Sequence, residues 1–285
     1  MKDVSYEILD LMDEYGSGEE GIRKILESRK EPELLMALSA VRENLVDWME
    51  ISKEDRVLEI GSDYGALTGI LAWKAKEVVV LDSRVENLEV NKRRHPDFEN
   101  ITWECREAGD GGSAGIFLEG QEFDWVFLIG PKTREASLGI GVREDNWNFQ
   151  EEKAYGAEQI RRAASMVKKG GHLVAAVPNA RGLKLWAGGE PDKDELSFTL
   201  EELKQIFESL GGGAKFYYPL PDYKLPSAVY SDDYLPAKGE IPNLFAEYEK
   251  PRYRLFSEEG AYDMLCEAGS FPQFANSYLV CWEKR

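Results

Sequence analysis

The sequence has few of the side chains from which metal sites and disulfide frameworks are built. Its 285 residues include two histidines, His95 and His172, and three cysteines, Cys105, Cys266 and Cys281. Two histidines are too few for a typical zinc site, so we expect no metal. An odd number of cysteines without a C-x-x-C pair indicates free thiols in a reducing cytoplasm. Cys105 and Cys281 fall in apolar strand patterns, which predicts that both thiols are buried.

Positive charge is also scarce. Lysine and arginine total 35 against 53 aspartates and glutamates, which gives a formal net charge of -18. Phosphate binding needs a cationic face, so nucleic acid is not an expected partner. An anionic membrane surface would repel the chain, and no apolar run approaches the ~18 residues that span a bilayer. Because a basic-plus-apolar leader is also missing, we expect a cytoplasmic protein that does not insert into membranes.

The stretch from residue 56 to 68, RVLEIGSDYGALT, combines an apolar run, a glycine turn and the start of a helical pattern. It predicts a buried parallel strand, a tight turn at Gly61 and a helix that begins after Gly65. Glycines in such a turn let a ligand approach the backbone, and a helix N-terminus favours negative charge. Nicotinamide-binding turns read G-x-G-x-x-G and carry an apolar residue where this chain has Glu59, so a nicotinamide-dependent reductase is disfavoured.

The chain after residue 55 alternates between strand and helix patterns. Strands are predicted at 56–60, 77–82, 100–105, 123–129 and 171–177, and helices at 65–75, 84–94 and 151–168. This alternation indicates a parallel sheet with helices on both faces, in which ligands lie beyond the carboxyl ends of the strands. The second strand ends in Asp82, 21 positions after Gly61. At that spacing an acidic residue can bind the ribose hydroxyls of a nucleotide.

The two ends of the chain differ from this core. The predicted division is an N-terminal helical extension at 1–50, the core at 51–221, an insertion at 222–274 and the last core strand at 275–285. The third helix of the extension is predicted from Pro32 to Trp48. The extension could cap the sheet or close over a site, and both roles stay open. A capping box at Thr199 and Glu202 predicts a later helix, and the last two strands are expected to pair antiparallel at the sheet edge.

Several motifs of the predicted core resemble those of class I S-adenosylmethionine (SAM) methyltransferases. They are the acid Glu59 and the glycines Gly61 and Gly65 of motif I, the acid that ends the second strand, and the lysine-glycine lead-in at 168–171. The resemblance implies an α/β, Rossmann-like fold with a seven-stranded sheet, and SAM as the cofactor. The chain departs from the family at Asp63, which stands where the middle glycine is usual and narrows the turn.

The same resemblance implies which residues bind the cofactor. They are Glu59, Gly61, Ser62, Asp63, Tyr64, Gly65, Asp82, Ser83, Glu107, Ala108, Ile129 and Gly130. Glu107 would contact the adenine amino group, although Asp110 could take that role. After the fourth strand, the chain reads Ile-Gly-Pro-Lys at 129–132 and lacks the Asn/Asp-Pro-Pro-Tyr-like motif of enzymes that methylate amines of nucleic acids and proteins. This difference argues against the amino-methylating branch.

Four further segments, RGLKLWAG, YYPLPDYKLP, YSDDYLP and ANSYLV, carry a narrower resemblance. They are similar to methyltransferase-like proteins of bacterial, mainly clostridial, surface-polysaccharide gene clusters, some of which are fused to glycosyltransferases. The resemblance covers nearly the whole chain and implies methyl transfer to a sugar or glycan precursor, with a possible glycosyltransferase partner. Members often have a glutamate-tyrosine pair after the fourth strand, where this chain has Pro131, Lys132 and Thr133.

A sugar hydroxyl is a poor nucleophile, so its methylation benefits from a general base. His172 is predicted far from the ligand end of its strand and His95 is predicted to be exposed, so we expect a carboxylate, a tyrosine or a lysine instead. The candidate bases are Asp222, Tyr223 and Asp232, and the candidate acceptor contacts are Asn179, Trp186, Tyr218 and Tyr230. Two alternatives stay open: methylation of another small metabolite, and a non-catalytic SAM-binding partner in a glycan-assembly complex.

Overall fold

The computed structural model describes residues 4–106, 118, 120–137, 149–242 and 252–285, and its framework is a mixed β-sheet. The strands are β1 (Arg56–Ile60), β2 (Glu77–Asp82), β3 (Ile101–Cys105), β4 (Phe123–Ile129), β5 (Val167–Pro178), β6 (Gly213–Leu220), β7 (Ala228–Ser231) and β8 (Ser277–Glu283). They lie in the order β3-β2-β1-β4-β5-β8-β6-β7. Strands β1 to β5 are parallel, whereas β8 runs antiparallel to both β5 and β6. The predicted Rossmann-like sheet is confirmed.

Within the described ranges the sheet has eight strands, where seven were expected. The additional strand is β7, which pairs antiparallel with β6 from Tyr217↔Ser231 to Leu220↔Ala228. It lies in the segment predicted as an insertion. A four-residue strand with partly buried side chains shows too little alternation to be read from a sequence.

Helices cover both faces of the sheet. In chain order they are α1 (Ser5–Tyr15), α2 (Gly18–Ser28), α3 (Pro32–Leu38), α4 (Thr68–Lys74), α5 (Val85–Arg94), α6 (Arg134–Ser137), α7 (Phe149–Ser165), α8 (Leu183–Trp186), α9 (Leu200–Leu210), α10 (Glu258–Glu267) and α11 (Phe271–Phe274). None of these helices, within the described ranges, has the length and apolar character needed to cross a membrane. The third helix was predicted to reach Trp48 but ends at Leu38. The Ser39 side chain accepts a hydrogen bond from the Val41 N–H and begins a separate 3-10 helix, Ala40–Leu45.

The core lies on both sides of the parallel strands. Leu58 of β1 belongs to a buried cluster with Ile160 of α7 and Leu203 of α9. Its neighbour Val57 points to the other face, into a cluster with Leu71 of α4. Parallel strands that are buried on both faces read as continuous apolar runs, which is why the central strands were predictable. Each fully buried aliphatic side chain contributes about 1.5–3 kcal/mol relative to an exposed one.

The N-terminal helices form a third apolar cluster against α5 and the turn after β1. Tyr64 from that turn and Val90 from α5 belong to this cluster. The buried Arg94 donates hydrogen bonds to the carbonyls of Ala37, Leu38 and Tyr64, at 3.3, 2.9 and 3.2 Å. These bonds tie the end of α3 to the turn after β1.

The burial predictions for His95 and Cys105 were wrong. His95 is buried, because Gly69 leaves room for its ring, and its Nε2 donates to the Gly65 carbonyl at 2.9 Å. Burial lowers the pKa of His95 to about 4. Cys105 is exposed because it ends β3, which lies at the edge of the sheet, and Cys281 is only partly buried.

Candidate functional site

The turn after β1 lies where the strand order reverses, between β1 and β4. Crevices at such switch points are the usual ligand sites of open α/β sheets. Gly61 has a φ of +70°, and no atom of the described residues lies within 4 Å of where its Cβ would be. A Cβ on Gly65 would instead lie 2.1 Å from Asn91 Oδ1. Gly61 therefore leaves space for a ligand, whereas Gly65 lets the turn pack against α5.

Glu59 lies under this turn and is buried. The Thr68 hydroxyl donates to its Oε2 at 2.6 Å, and Asn91 Nδ2 donates in turn to the Thr68 hydroxyl at 2.8 Å. Burial is the main reason that the pKa of Glu59 rises to about 8, and the negative charges of Asp82 and Asp63 add to the rise. The hydrogen-bonded chain fixes the carboxyl group beneath the glycine turn.

Asp82, at the end of β2, accepts hydrogen bonds on both carboxylate oxygens. Oδ1 accepts from the Arg84 N–H at 3.0 Å and from Asn87 Nδ2 at 3.1 Å. Oδ2 accepts from the Asp63 N–H at 3.0 Å and from the Ser62 hydroxyl at 3.4 Å. Burial, followed by the charge of Asp63, raises the pKa of Asp82 to about 6. The Ser62 hydroxyl makes the longest of these four bonds, so it is the donor that a ribose hydroxyl could replace at lowest cost.

Asp63 joins the turn to the segment after β4. Its φ of +46° is in the left-handed region, which is uncommon for a residue other than glycine. Lys132 Nζ lies 3.7 Å from the Asp63 carboxylate and 3.4 Å from the Glu195 carboxylate. The Asp63–Lys132 pair therefore bridges the two sides of the switch-point crevice.

Tyr64 points away from this crevice. Its ring is buried among the N-terminal helices, and its hydroxyl oxygen accepts from the Val4 N–H at 3.3 Å. Ser83 and Ile129 are partly buried at the ends of β2 and β4. The predicted adenine contacts, Glu107 and Ala108, lie outside the described residues.

Tyr223 covers the end of β4. A Cβ on Gly130, whose φ is +63°, would lie 2.7 Å from Tyr223 Oη. That hydroxyl donates to Glu195 Oε2 at 2.8 Å. Burial raises the pKa of Tyr223 well above its ordinary value, and the Glu195 charge adds to the effect. Burial alone would also raise the pKa of Glu195, but the charges of Lys224 and Lys132 outweigh it and hold that pKa well below its usual range.

A cleft beyond the end of β5 has an empty volume of about 430 Å³, counting its open mouth. We call it the polar cleft; it is lined by Pro178, Asn179, Lys184, Leu185, Pro191, Asp192, Glu195, Ser197, Asp222, Tyr223, Lys224, Asn276 and Ser277. Ion pairs join its lining residues, among them Lys184–Asp222 at 3.2 Å, Lys224–Asp192 at 3.1 Å and Lys224–Glu195 at 3.3 Å. The buried Ser277 hydroxyl has no hydrogen-bond partner among the described residues.

Three of the predicted acceptor-site residues, Asn179, Asp222 and Tyr223, line the polar cleft. Asn179 Nδ2 donates to the carbonyls of Gln273 and Ala275, and its Oδ1 accepts from the Arg181 N–H. Because the Asn179 side chain already makes these hydrogen bonds, its role is to shape the wall of the polar cleft.

The other predicted acceptor-site residues lie elsewhere. Trp186 belongs to α8 together with Lys184, but its ring is exposed and contacts Phe274 edge-on. Tyr218 and Tyr230 face each other across β6 and β7, and the Tyr218 hydroxyl donates to Asp232. None of these residues lines the polar cleft, so their assignments stay predictions.

Four charged residues of this region were missed as site residues: Lys132, Asp192, Glu195 and Lys224. In the sequence, Lys132 stands out only as a departure from a family motif. Glu195 and Asp192 lie in an acid-rich connector that carries no motif, and their partners are far away in the chain. Within the ranges that the structure describes, no group of three or more histidine, cysteine, aspartate or glutamate residues is placed to hold a metal ion.

No family model matches the sequence, and no curated protein matches it. Solved structures with similar backbones include phosphoethanolamine N-methyltransferase 1 of Haemonchus contortus with phosphoethanolamine and S-adenosylhomocysteine, at TM-score 0.49 and 11% identity. That match covers 98% of this chain, which spans about half (49%) of the length of the other. A SAM-dependent methyltransferase of Thermotoga maritima, a possible histamine N-methyltransferase, matches at TM-score 0.47 and 13% identity over 93% of this chain and 97% of its own. The acceptors named are those of the matched proteins and indicate nothing about the acceptor of this chain.

Proposed function

We propose that the protein is a SAM-dependent methyltransferase that binds its cofactor in the crevice between the ends of β1 and β4. The observation that carries this proposal is the open face of Gly61 at the switch point, on a turn that also holds the Asp63 and Asp82 carboxylates next to each other. Their mutual repulsion favours a cationic ligand. SAM carries a sulfonium and an ammonium group, whereas the pyrophosphate of a dinucleotide would add negative charge.

The residues present fit SAM. Gly61 forms a cradle that a Cβ would fill, and Asp82 lies beside it with the replaceable Ser62 bond. We propose that Asp82 binds the ribose hydroxyls and that Glu59 supports the turn from below. When bound, SAM supplies an electrophilic methyl group. The remaining work of the chain is to align an acceptor atom, exclude water and remove a proton.

We further propose that the acceptor is a hydroxyl of a sugar or glycan precursor, bound in the polar cleft. The unpartnered Ser277 hydroxyl supports this, because a buried hydroxyl without a partner gains a hydrogen bond from a polyhydroxyl ligand. The charges that line the cleft are already paired, which suits a neutral ligand better than a strongly charged one. The resemblance to surface-polysaccharide cluster proteins supports the same class, and a glycosyltransferase partner belongs to this proposal.

Methyl transfer to a hydroxyl breaks a carbon–sulfur bond, forms a carbon–oxygen bond and releases the hydroxyl proton. We propose Asp222 as the proton acceptor, since it lines the polar cleft and its Oδ2 is 3.2 Å from Lys184 Nζ. Tyr223 suits a different role. Its raised pKa keeps the hydroxyl protonated, so it donates a hydrogen bond and cannot act as a base at neutral pH.

Calorimetric titration with SAM, S-adenosylhomocysteine and NAD tests the cofactor. We expect binding of the first two and none of NAD; binding of NAD alone would end the methyltransferase proposal. Methylation assays with nucleotide sugars, glycans and small hydroxylated metabolites then test the acceptor.

A non-catalytic SAM-binding partner is the second candidate. The departures of the sequence from the family pattern favour it: Asp63 stands where motif I usually has a glycine, and the polar motif after the fourth strand is missing. Tight SAM binding without turnover across the whole acceptor panel would support this second candidate over the enzyme.

A further inference from the structure

We propose that Asp63 and Lys132 hold the amino-acid end of the cofactor between them, Asp63 through its ammonium group and Lys132 through its carboxylate. This inference rests on the proposed function. SAM and S-adenosylhomocysteine both end in a zwitterionic α-amino acid, so one ligand end offers the two charges that this pair of residues can bind.

The first argument is the length of the existing contacts. Hydrogen-bonded pairs of ammonium and carboxylate groups are typically about 2.7–2.9 Å long. Lys132 Nζ lies 3.7 Å from Asp63 and 3.4 Å from Glu195. Both contacts are therefore loose. The side chains of Lys132 and Asp63 are 27% and 34% exposed, so a ligand can reach the space between them from solvent.

The second argument is position. Strands β1 and β4 are hydrogen-bonded neighbours, with Ile60 opposite Leu128. Asp63 lies three residues after Ile60, and Lys132 lies four residues after Leu128. The two charged side chains therefore follow paired positions of neighbouring strands, at a similar height above the end of the sheet. The open face of Gly61 lies on the same turn as Asp63.

The third argument is the backbone of Asp63. Its left-handed conformation would suit glycine better, and such strained residues concentrate at ligand sites. Its N–H is already used, because it donates to Asp82 at 3.0 Å. The side chain is thus the part of Asp63 that the turn itself does not need, and it extends toward Lys132.

Glu195 explains how Lys132 could change partners without leaving the crevice. Its carboxylate stays ionised, because Lys224 and Tyr223 contact it at 3.3 and 2.8 Å. Lys132 therefore keeps one anionic neighbour while its other contact passes from Asp63 to the carboxylate of the ligand. Asp63 becomes available to the ammonium group of the same ligand.

The test compares two ligands that differ only in the proposed contact region. S-adenosylhomocysteine has the amino-acid end, whereas 5′-methylthioadenosine carries a methyl group in its place. Affinities of both are measured by calorimetry for the unmodified protein, Lys132→Met, Lys132→Arg and Asp63→Asn. Lys76→Met is the matched control, because Lys76 is an exposed lysine on another part of the surface.

We expect Lys132→Met and Asp63→Asn each to weaken S-adenosylhomocysteine binding by about tenfold or more. The affinity for 5′-methylthioadenosine should stay within about twofold. Lys132→Arg keeps the charge and should restore most of the preference for S-adenosylhomocysteine, and Lys76→Met should change neither affinity. Melting temperatures confirm that each variant is folded.

If Lys132→Met weakens both ligands equally, or neither, the inference is overturned while the proposed cofactor site stands. If the unmodified protein binds neither ligand, both the inference and the proposed function are overturned.

Discussion

Lys224 and Glu195 form an ion pair of 3.3 Å in which the side chains are only 7% and 3% exposed. Lys224 also contacts Asp192 at 3.1 Å, and Glu195 accepts a hydrogen bond from Tyr223. The pair joins the loop after β6 to the connector before α9, and both segments line the polar cleft. Removal of one buried partner leaves a charge without compensation, which destabilises a fold far more than the loss of an exposed pair.

We therefore predict that Lys224→Met lowers the free energy of unfolding by about 3 kcal/mol. Urea denaturation measures the change. The matched control is Lys238→Met, which removes a pair with Glu267 of 2.9 Å whose side chains are 58% and 56% exposed. This control should leave the stability almost unchanged, and equal losses in the two variants would contradict the prediction.

The parts that were predictable from the sequence are those with a local signature. Strand β1 and the turn at Gly61 come from one continuous stretch, and Asp82 follows at a spacing set by a single helix and strand. The capping box is equally local, and it is confirmed: Glu202 N donates to the Thr199 hydroxyl and Thr199 N to the Glu202 carboxylate.

The parts that were missed depend on contacts between distant segments. Lys132, Glu195 and Lys224 meet only after β4, the connector before α9 and the loop after β6 have been brought to the same end of the sheet. No periodic pattern marks such residues in a sequence. The burial of His95 has a similar cause, because it depends on the space above Gly69 in a different helix.

The next prediction compares two glycines that have the same backbone φ but lie in different parts of the molecule. Gly61 and Gly211 both have a φ of +70°, and a Cβ on either would meet no atom of the described part of the chain within 4 Å. Valine at either position is strained to a similar degree. Only Gly61→Val fills the proposed cofactor crevice, so it should abolish SAM binding, whereas Gly211→Val, at the end of α9, should bind normally. Calorimetry with SAM decides, and normal binding by Gly61→Val would show that the cofactor lies elsewhere.

The buried carboxylates predict how stability and binding depend on pH. Burial, with smaller contributions from neighbouring charges, raises the pKa of Asp82 to about 6 and that of Glu59 to about 8. At these two groups the folded protein binds more protons than the unfolded chain between about pH 4 and pH 8, which lowers stability as the pH rises. The buried His95, whose pKa is lowered to about 4, has the opposite effect up to about pH 6.5, so the fall in stability should be clearest between about pH 6.5 and pH 8.

A bound cation favours the ionised carboxylates, so SAM affinity should rise between about pH 5 and pH 7. Titrations in two buffers of different ionisation enthalpy should show proton release on binding near pH 6. Asp82→Asn removes the group that titrates there and should flatten this part of the profile. An affinity that is constant across the range in the unmodified protein would contradict the assignment of these carboxylates to the cofactor site.

The last prediction separates the candidate bases by their location. Asp222 lines the polar cleft, whereas Asp232 is an exposed residue that accepts a hydrogen bond from Tyr218 at the far edge of the sheet. The test uses an acceptor that the unmodified protein methylates. With this acceptor, Asp222→Asn should lower kcat by about 10²–10⁴-fold, because a positioned general base contributes that much to the rate. The affinity for SAM should stay the same. Asp232→Asn is the control and should keep its activity. If Asp222→Asn turns over at the full rate, the proton leaves by another route and Asp222 has a structural role, through its hydrogen bonds from Lys184 Nζ and the Lys224 N–H.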